Sequence, residues 1–156
     1  MSRKPILCLD FDGVIHSYSS GWKGASKIPD PPVDGAMKFV IEALETFDVC
    51  VYSSRSHQWG GRRAMRKWFK KSLIELASTY ETTPEWLLRH IHAFADPWPD
   101  EIDWHIGKLV GQIRFPLFKP AAMVGIDDRV ITFTGNWPDV STLTRFKPWN
   151  KRAEPV

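Results

Sequence analysis

Two cysteines in 156 residues are too few for a disulfide framework, and no Cys-x-x-Cys spacing marks a zinc or dithiol site. Cys8 and Cys50 each fall inside a short apolar run, so free core thiols are expected. No apolar run approaches the ~18 residues of a membrane span. The run that follows Met1-Ser2-Arg3-Lys4-Pro5 stops at Asp10, too short for a secretory core and closed by acids. A cytoplasmic protein with no membrane partner is the expectation. Neither sign of charge dominates: 21 Lys and Arg against 18 Asp and Glu leave +3, a mild excess that suits an anionic substrate without specifying nucleic acid. Repeats and low-complexity segments are also missing from the sequence.

What is present is the balance of a globular chain, 43% hydrophobic and 25% charged, long enough for one core and too short for two. A single domain over 1–156 is expected. The eight tryptophans are assigned to packing, in the core and at the surface, ahead of base stacking.

Ile6 to Leu9 has the length and character of a buried strand, and it ends in two carboxylates, Asp10 and Asp12, followed by Gly13. Residues two apart on a strand share a side, so both acids can face one way at its carboxyl end. Two acids so close repel unless a cation or a proton sits between them. Gly13 gives the backbone freedom to turn away.

His16 to Ile28 is polar and glycine-containing, a loop or small hairpin over the site. Pro29-Asp30-Pro31-Pro32 breaks the chain, and a helix from Asp34-Gly35 carries Phe39, Val40, Ala43, Leu44 and Phe47. A second strand, Phe47 to Tyr52, closes on Ser53-Ser54-Arg55. Strand, helix and strand within about fifty residues predict a βαβ unit with parallel strands. His57 to Ala77 is read as a helix with a basic stripe, Arg62, Arg63, Arg66, Lys67, Lys70 and Lys71, taken as a solvated face ahead of a phosphate-steering patch.

Residues 79–110 read as a small helical insertion: a helix started by Thr82-Thr83-Pro84-Glu85, a break at Asp96 to Asp100, and a helix from Glu101 to Val110. His90, His92 and His105 lie here without metal-ligand spacing and are assigned to surface or packing. Gln112 to Phe115 is a short candidate strand, Ala122 to Ile126 a third apolar strand closing on Asp127-Asp128-Arg129, and Val130 to Phe133 an edge strand. The tail from Phe146 is expected to be loose.

In a parallel sheet the carboxyl ends of the strands share one edge, where open α/β sheets place their ligands. Asp10, Asp12, Asp127 and Asp128 together need a cation, and hard oxygen ligands suit Mg²⁺. Ser53 and Lys119 beside that metal make a phosphate site.

Leu9-Asp10-Phe11-Asp12-Gly13-Val14-Ile15 resembles the first motif of the haloacid dehalogenase-like phosphohydrolase superfamily. Val51-Tyr52-Ser53-Ser54-Arg55 is similar to its second motif, Lys119 to its third and Ile126-Asp127-Asp128-Arg129 to its fourth, in order along the chain. The resemblance implies a single Rossmann-like, three-layer α/β domain with a mainly parallel sheet. It implies a phosphatase in which Asp10 attacks phosphorus and forms an aspartyl-phosphate, while Asp12 acts as general acid and then base. It implies Mg²⁺ on the Asp10 carboxylate, the Asp12 backbone carbonyl and Asp127, with Asp128 as ligand or outer partner. Ser53 and Lys119 would hold the phosphoryl oxygens, helped by the amides near Ser54 and Gly13. The substrate implied is a phosphorylated small molecule or nucleotide. The family's large cap has no counterpart, since Ser17 to Pro32 is only a loop and the 79–110 segment is small. Two alternatives stand beside this reading. One is a nucleotide or nucleic-acid-end phosphatase of the same mechanism, and the other a non-catalytic Mg²⁺-binding phospho-acceptor module. A glycosyltransferase reading of Asp10-Phe11-Asp12 leaves Ser53 and Lys119 unused.

Overall fold

Strand β1 (Ile6–Leu9) lies between β2 (Asp48–Val51) and β3 (Val124–Ile126), all parallel, in the order β2-β1-β3. The computed structural model describes residues 3–78, 81–91 and 101–152. Apolar runs without alternation are what parallel strands covered on both faces require, and β1 and β2 are buried along most of their length. The register aligns Leu9 with Val51 on one side and with Ile126 on the other, so the three strands end level. Cys8 pairs with Cys50 across the β1–β2 ladder, and both thiols are buried and free, as expected, with burial pushing their pKa values up.

Helix α1 (Ala36–Ala43) crosses from β1 to β2 and buries Met37, Val40 and Ile41, with Leu44 just beyond its end. That is the i, i+3, i+4, i+7 spacing of one helix face. Phe39, expected on the same face, is exposed, and Phe47 lies past the helix end. Helix α2 (Gly61–Leu76) repeats the pattern with Met65, Trp68, Phe69 and Leu73 inside.

The first residue of α2 sits against the turn that leaves β2. A Cβ at Gly61 would lie 2.1 Å from the Arg55 carbonyl oxygen, a backbone atom that cannot step aside. Gly61→Ala is therefore expected to lower stability by about 2–4 kcal/mol through forced backbone shifts. A urea midpoint unchanged from wild type would contradict this packing.

Helices α3 (Glu85–Ile91) and α4 (Ile102–Gln112) occupy the segment read as an insertion. They belong to the main core: α3 packs on α1 and α4, and α4 packs on α2. Leu87, Ile91, Ile106, Leu109 and Val110 are buried in the same cluster as β1 and β2. Helix α3 begins at Glu85, directly after Pro84, within the expected Thr82 to Glu85 start. His92 and the break at Asp96 to Asp100 lie outside the described residues. The candidate strand at Gln112 to Phe115 contracts to one parallel bridge, in which Arg114 pairs with β2 through Val51 N–H and Val49 C=O.

Two expectations fail. Val130 to Phe133 forms no strand: its apolar side chains are exposed and no described strand neighbours it to offer a ladder, which β propensity requires to be realised. The tail, as far as the described residues run to Arg152, is not loose: a 3₁₀ turn (Trp149–Lys151) follows helix α5 (Val140–Leu143), and the Trp149 indole N–H donates to the Gly13 carbonyl at 2.8 Å. The segment from His16 is a loop, as expected, closed at its base by a single antiparallel bridge between His16 and Pro32 and held by Arg55. Among the described residues no helix is long and apolar enough to cross a membrane.

Candidate functional site

The three level strand ends open into one cavity of about 640 Å³, lined by Asp10, Asp12, Ser53, Ser54, Lys119 and Asp127 among others. Residues more than a hundred positions apart meet there because parallel strands in register terminate together. Asp10 stays on the ladder, its N–H donating to the Ile126 carbonyl at 2.9 Å, while Tyr52 N–H donates to Leu9 C=O at 3.0 Å. One carboxylate oxygen from each of Asp10, Asp127 and Asp128 lies within 4.8 Å of the others.

Gly13 makes this cluster possible. Its φ of +85° lies in the left-handed region, and an added Cβ would come 2.5 Å from Asp128 Oδ2. The Asp128 side chain is only 2% exposed, and its Oδ1 has no hydrogen-bond partner. Arg129, with Nε at 3.8 Å from Asp128 Oδ2, is its nearest countercharge. A buried, unpaired carboxylate oxygen facing two further acids is a costly arrangement for a bare protein. The same donor set fits a hard divalent cation.

The electrostatics follow. Burial pushes the Asp10 carboxyl from its ordinary 3.8 up to about 7, against the Phe11 N–H that donates to Oδ1 at 2.8 Å; the charges of Asp127, Asp128 and Asp12 add to the rise. Burial raises Asp128 as well, opposed by Arg129.

Asp12 is the reverse case. Burial would raise it, but hydrogen bonds from His16 and Arg55, with the Arg55 charge, outweigh that and hold it below the usual carboxylate range. Arg55 Nε donates to Oδ2 at 2.8 Å and Nη2 to Oδ1 at 3.0 Å, the forked geometry that guanidinium matches to a carboxylate. His16 Nδ1 lies 2.8 Å from Oδ1, and its Nε2 accepts the Asp30 N–H at 3.2 Å. That acceptance assigns the proton of the neutral ring to Nδ1, which donates it to Asp12. Asp30 in turn accepts twice from Ser20. Phe11 stacks on the His16 ring, and Trp68 meets it edge-on while donating its indole N–H to Asp30 C=O.

Arg55 also closes the loop that the sequence left undirected. Its Nη1 donates to the carbonyls of Gly24, Ala25 and Lys27, and the Trp22 ring lies 4.6 Å from its guanidinium carbon. His16 and Arg55 are thus the site residues that sequence reasoning missed. Both are fully buried. Their signal was positional: one follows Asp12 by four residues, and the other follows the Ser53-Ser54 strand end.

Ser53 is buried, and its Oγ accepts the Arg55 N–H at 3.3 Å, leaving the hydroxyl proton free to donate. Ser54 is exposed at the cavity wall. Lys119 is exposed, lines the same cavity and forms no ion pair with any described residue. Asp12 lines the cavity, but its carboxylate stands apart from the three-acid cluster and turns to Arg55 and His16. The histidines assigned to packing fit that assignment: His90 contacts Glu45 and the Trp86 carbonyl, and His105 contacts Glu101. Comparison with protein-family models, curated proteins and solved structures returns no significant match.

Proposed function

We propose that this chain is a Mg²⁺-dependent phosphomonoesterase of the haloacid dehalogenase-like type, built on a Rossmann-like domain, with Asp10 as nucleophile. One observation carries the reading: Asp10, Ser53, Lys119 and Asp127 line a single cavity, and one carboxylate oxygen from each of Asp10, Asp127 and Asp128 lies within 4.8 Å of the others. Asp10, Asp127 and Asp128 are the side chains placed to hold the ion, with the Asp12 carbonyl as the further ligand implied by the motif. When bound, Mg²⁺ neutralises phosphoryl charge and keeps Asp10 ionised.

The chain's own groups do the rest. A carboxylate oxygen of Asp10 attacks phosphorus, the bond to the ester oxygen breaks, and that oxygen leaves with the electron pair and takes a proton from the protonated Asp12 carboxyl. Ser53 and Lys119 donate to the transferring phosphoryl oxygens, where preplaced donors stabilise the transition state. Water then attacks the aspartyl-phosphate, losing its proton to Asp12, and phosphate is released with Asp10 restored. Asp12 starts as an anion, the state a base requires, and among the described residues its Oδ2 accepts from Arg55 Nε alone, which leaves a lone pair for the proton of water. Its acid role draws on the incoming phosphate dianion, whose charge favours protonation of a neighbouring carboxylate.

The test is hydrolysis of an aryl phosphate: turnover in Mg²⁺ that EDTA abolishes supports the reading, and metal-independent turnover overturns it. A second reading, a phospho-acceptor without turnover, is favoured by the three donors from Arg55 and His16 that already hold Asp12 and lower its basicity. Stable aspartyl-phosphate without phosphate release would select it.

Metal binding should also depend on pH with a defined sign. Below about 7 the Asp10 proton competes with the ion, so Mg²⁺ affinity should fall up to about tenfold per pH unit below 7 and level off above it. The Mg²⁺-induced shift in Tm measured from pH 5.5 to 8.5 reads this directly, and a flat profile would contradict it.

A further inference from the structure

The basic stripe of α2 is not a uniform solvated face. It lines a second cavity of about 1040 Å³, into which Arg62, Arg63, Arg66, Lys67 and Lys71 project and which no carboxylate lines. Arg63 and Lys67 make no ion pair with any described residue. Arg66 lies over the Phe115 ring at 5.2 Å, which orients its guanidinium without neutralising it. At the rim stands Trp59, 98% exposed, its whole face offered to solvent. A large aromatic left bare beside concentrated positive charge has no packing role to explain it.

The groove adjoins the candidate site. Tyr52 lines the first cavity and His57 the second, and Tyr52 Oη lies 2.6 Å from His57 Nε2, so one hydrogen-bonded pair forms the wall between them. A chain of phosphates lying in the groove therefore arrives beside Ser54 and Asp10.

We propose that this groove binds single-stranded nucleic acid and presents the strand's terminal phosphate to Asp10. Regularly spaced phosphates match the row of cations, and an unpaired base matches the exposed indole, since stacking on an aromatic face needs a base free of its partner. A duplex offers the charge but not the free base. The delivery half of this proposal rests on the phosphatase reading; the binding half does not.

The experiment measures binding of an internally labelled oligothymidylate of about a dozen nucleotides, without terminal phosphate, by fluorescence anisotropy. The variants are Arg63→Glu with Lys67→Glu, and Trp59→Ala, all at exposed positions outside the proposed catalytic machinery. Neutralising three or four phosphates predicts a salt slope of about −2 to −3, a roughly fifteen- to sixtyfold loss of affinity between 50 and 200 mM salt. Charge reversal should weaken binding at least about tenfold further, and Trp59→Ala by about tenfold, with aryl phosphate turnover unchanged. Phosphorylated oligonucleotide should be hydrolysed with higher kcat/KM than aryl phosphate, and only that advantage should vanish in the charge-reversed variant. Absent binding, binding indifferent to charge reversal, or equal binding of inorganic polyphosphate with no effect of Trp59→Ala would each overturn the proposal. Groove-dependent binding without turnover of any ester leaves the groove standing and removes the phosphatase reading. Aryl phosphate turnover with no groove-dependent oligonucleotide binding does the opposite, and such turnover with a bound phosphorylated strand left unhydrolysed keeps the groove and the phosphatase reading but overturns delivery to Asp10.

Discussion

Arg55→Ala is expected to destabilise the protein by about 3–5 kcal/mol, enough to unfold a large fraction of a marginally stable chain. An exposed ion pair is worth at most about 1 kcal/mol, but Arg55 is fully buried and its loss is not the loss of one pair. It holds both oxygens of Asp12 and the carbonyls of Gly24, Ala25 and Lys27, and it packs against Trp22. Alanine would leave a half-buried carboxylate supported by His16 alone and three carbonyls without this donor. Arg55→Lys keeps the charge and loses the fork, so a smaller cost of about 1–3 kcal/mol is expected. The sign of the pH dependence is fixed by Asp12. Its folded pKa is depressed, so the stabilisation from Arg55 is present above the ordinary 3.8 and is lost as pH falls through the folded value. Urea midpoints at pH 7 and pH 3 measure both effects. Equal midpoints for wild type and Arg55→Ala at pH 7 would remove Arg55 as the link between loop and site.

Asp10→Asn is expected to do two opposite things. Turnover should fall by about 10⁴-fold or more, because an amide does not replace a nucleophilic carboxylate. Stability of the metal-free protein should rise. A carboxyl raised from 3.8 to about 7 binds its proton more tightly when folded, so wild-type stability declines as pH increases from about 4 to about 7 and the penalty is complete above that. The full shift corresponds to ~4 kcal/mol; solvent access to the cavity reduces this, and a gain of about 2 kcal/mol at pH 8 is expected for the variant. The gain should vanish near pH 4 and in saturating Mg²⁺, where the wild-type carboxylate is compensated. A stable, folded variant with normal turnover would end the case for Asp10 as nucleophile, and a destabilised one would show that the acidic cluster carries no repulsion.

How much of this was legible beforehand differs by element. β1, β2 and β3 were visible as apolar runs of strand length; for β1 and β2 the reason is burial, which leaves no room for alternation, whereas β3 is exposed. Of the core face of α1, Val40 and Leu44 were visible from helical spacing, while Met37 and Ile41 were not picked out and Phe39 is exposed. The acids and the serines at strand ends were visible because polar groups abruptly ending a buried run are unusual. Val130 to Phe133 misled, since β-branched residues report fitness for a pleated surface and no partner strand was there to supply one. The segment around α3 and α4 is a different case. Its helices were detectable, but whether they cover the core or stand apart depends on Leu87, Ile91 and Ile106 meeting β-sheet and helix residues distant in sequence.

The order of strands and helices, the parallel sheet and the identity of the acids that end its strands follow from local chemistry, since a run of apolar side chains and its terminating charges are adjacent on the chain. The pairing of Asp12 with Arg55 and His16, the closeness of Asp128 to Gly13 and the return of Trp149 to the Gly13 carbonyl are of another kind. Most of these contacts join segments tens of residues apart, and no spacing rule announces them. They exist because folding carries those groups out of water together, where each buried charge or carbonyl is stable only beside the partner that the rest of the fold delivers.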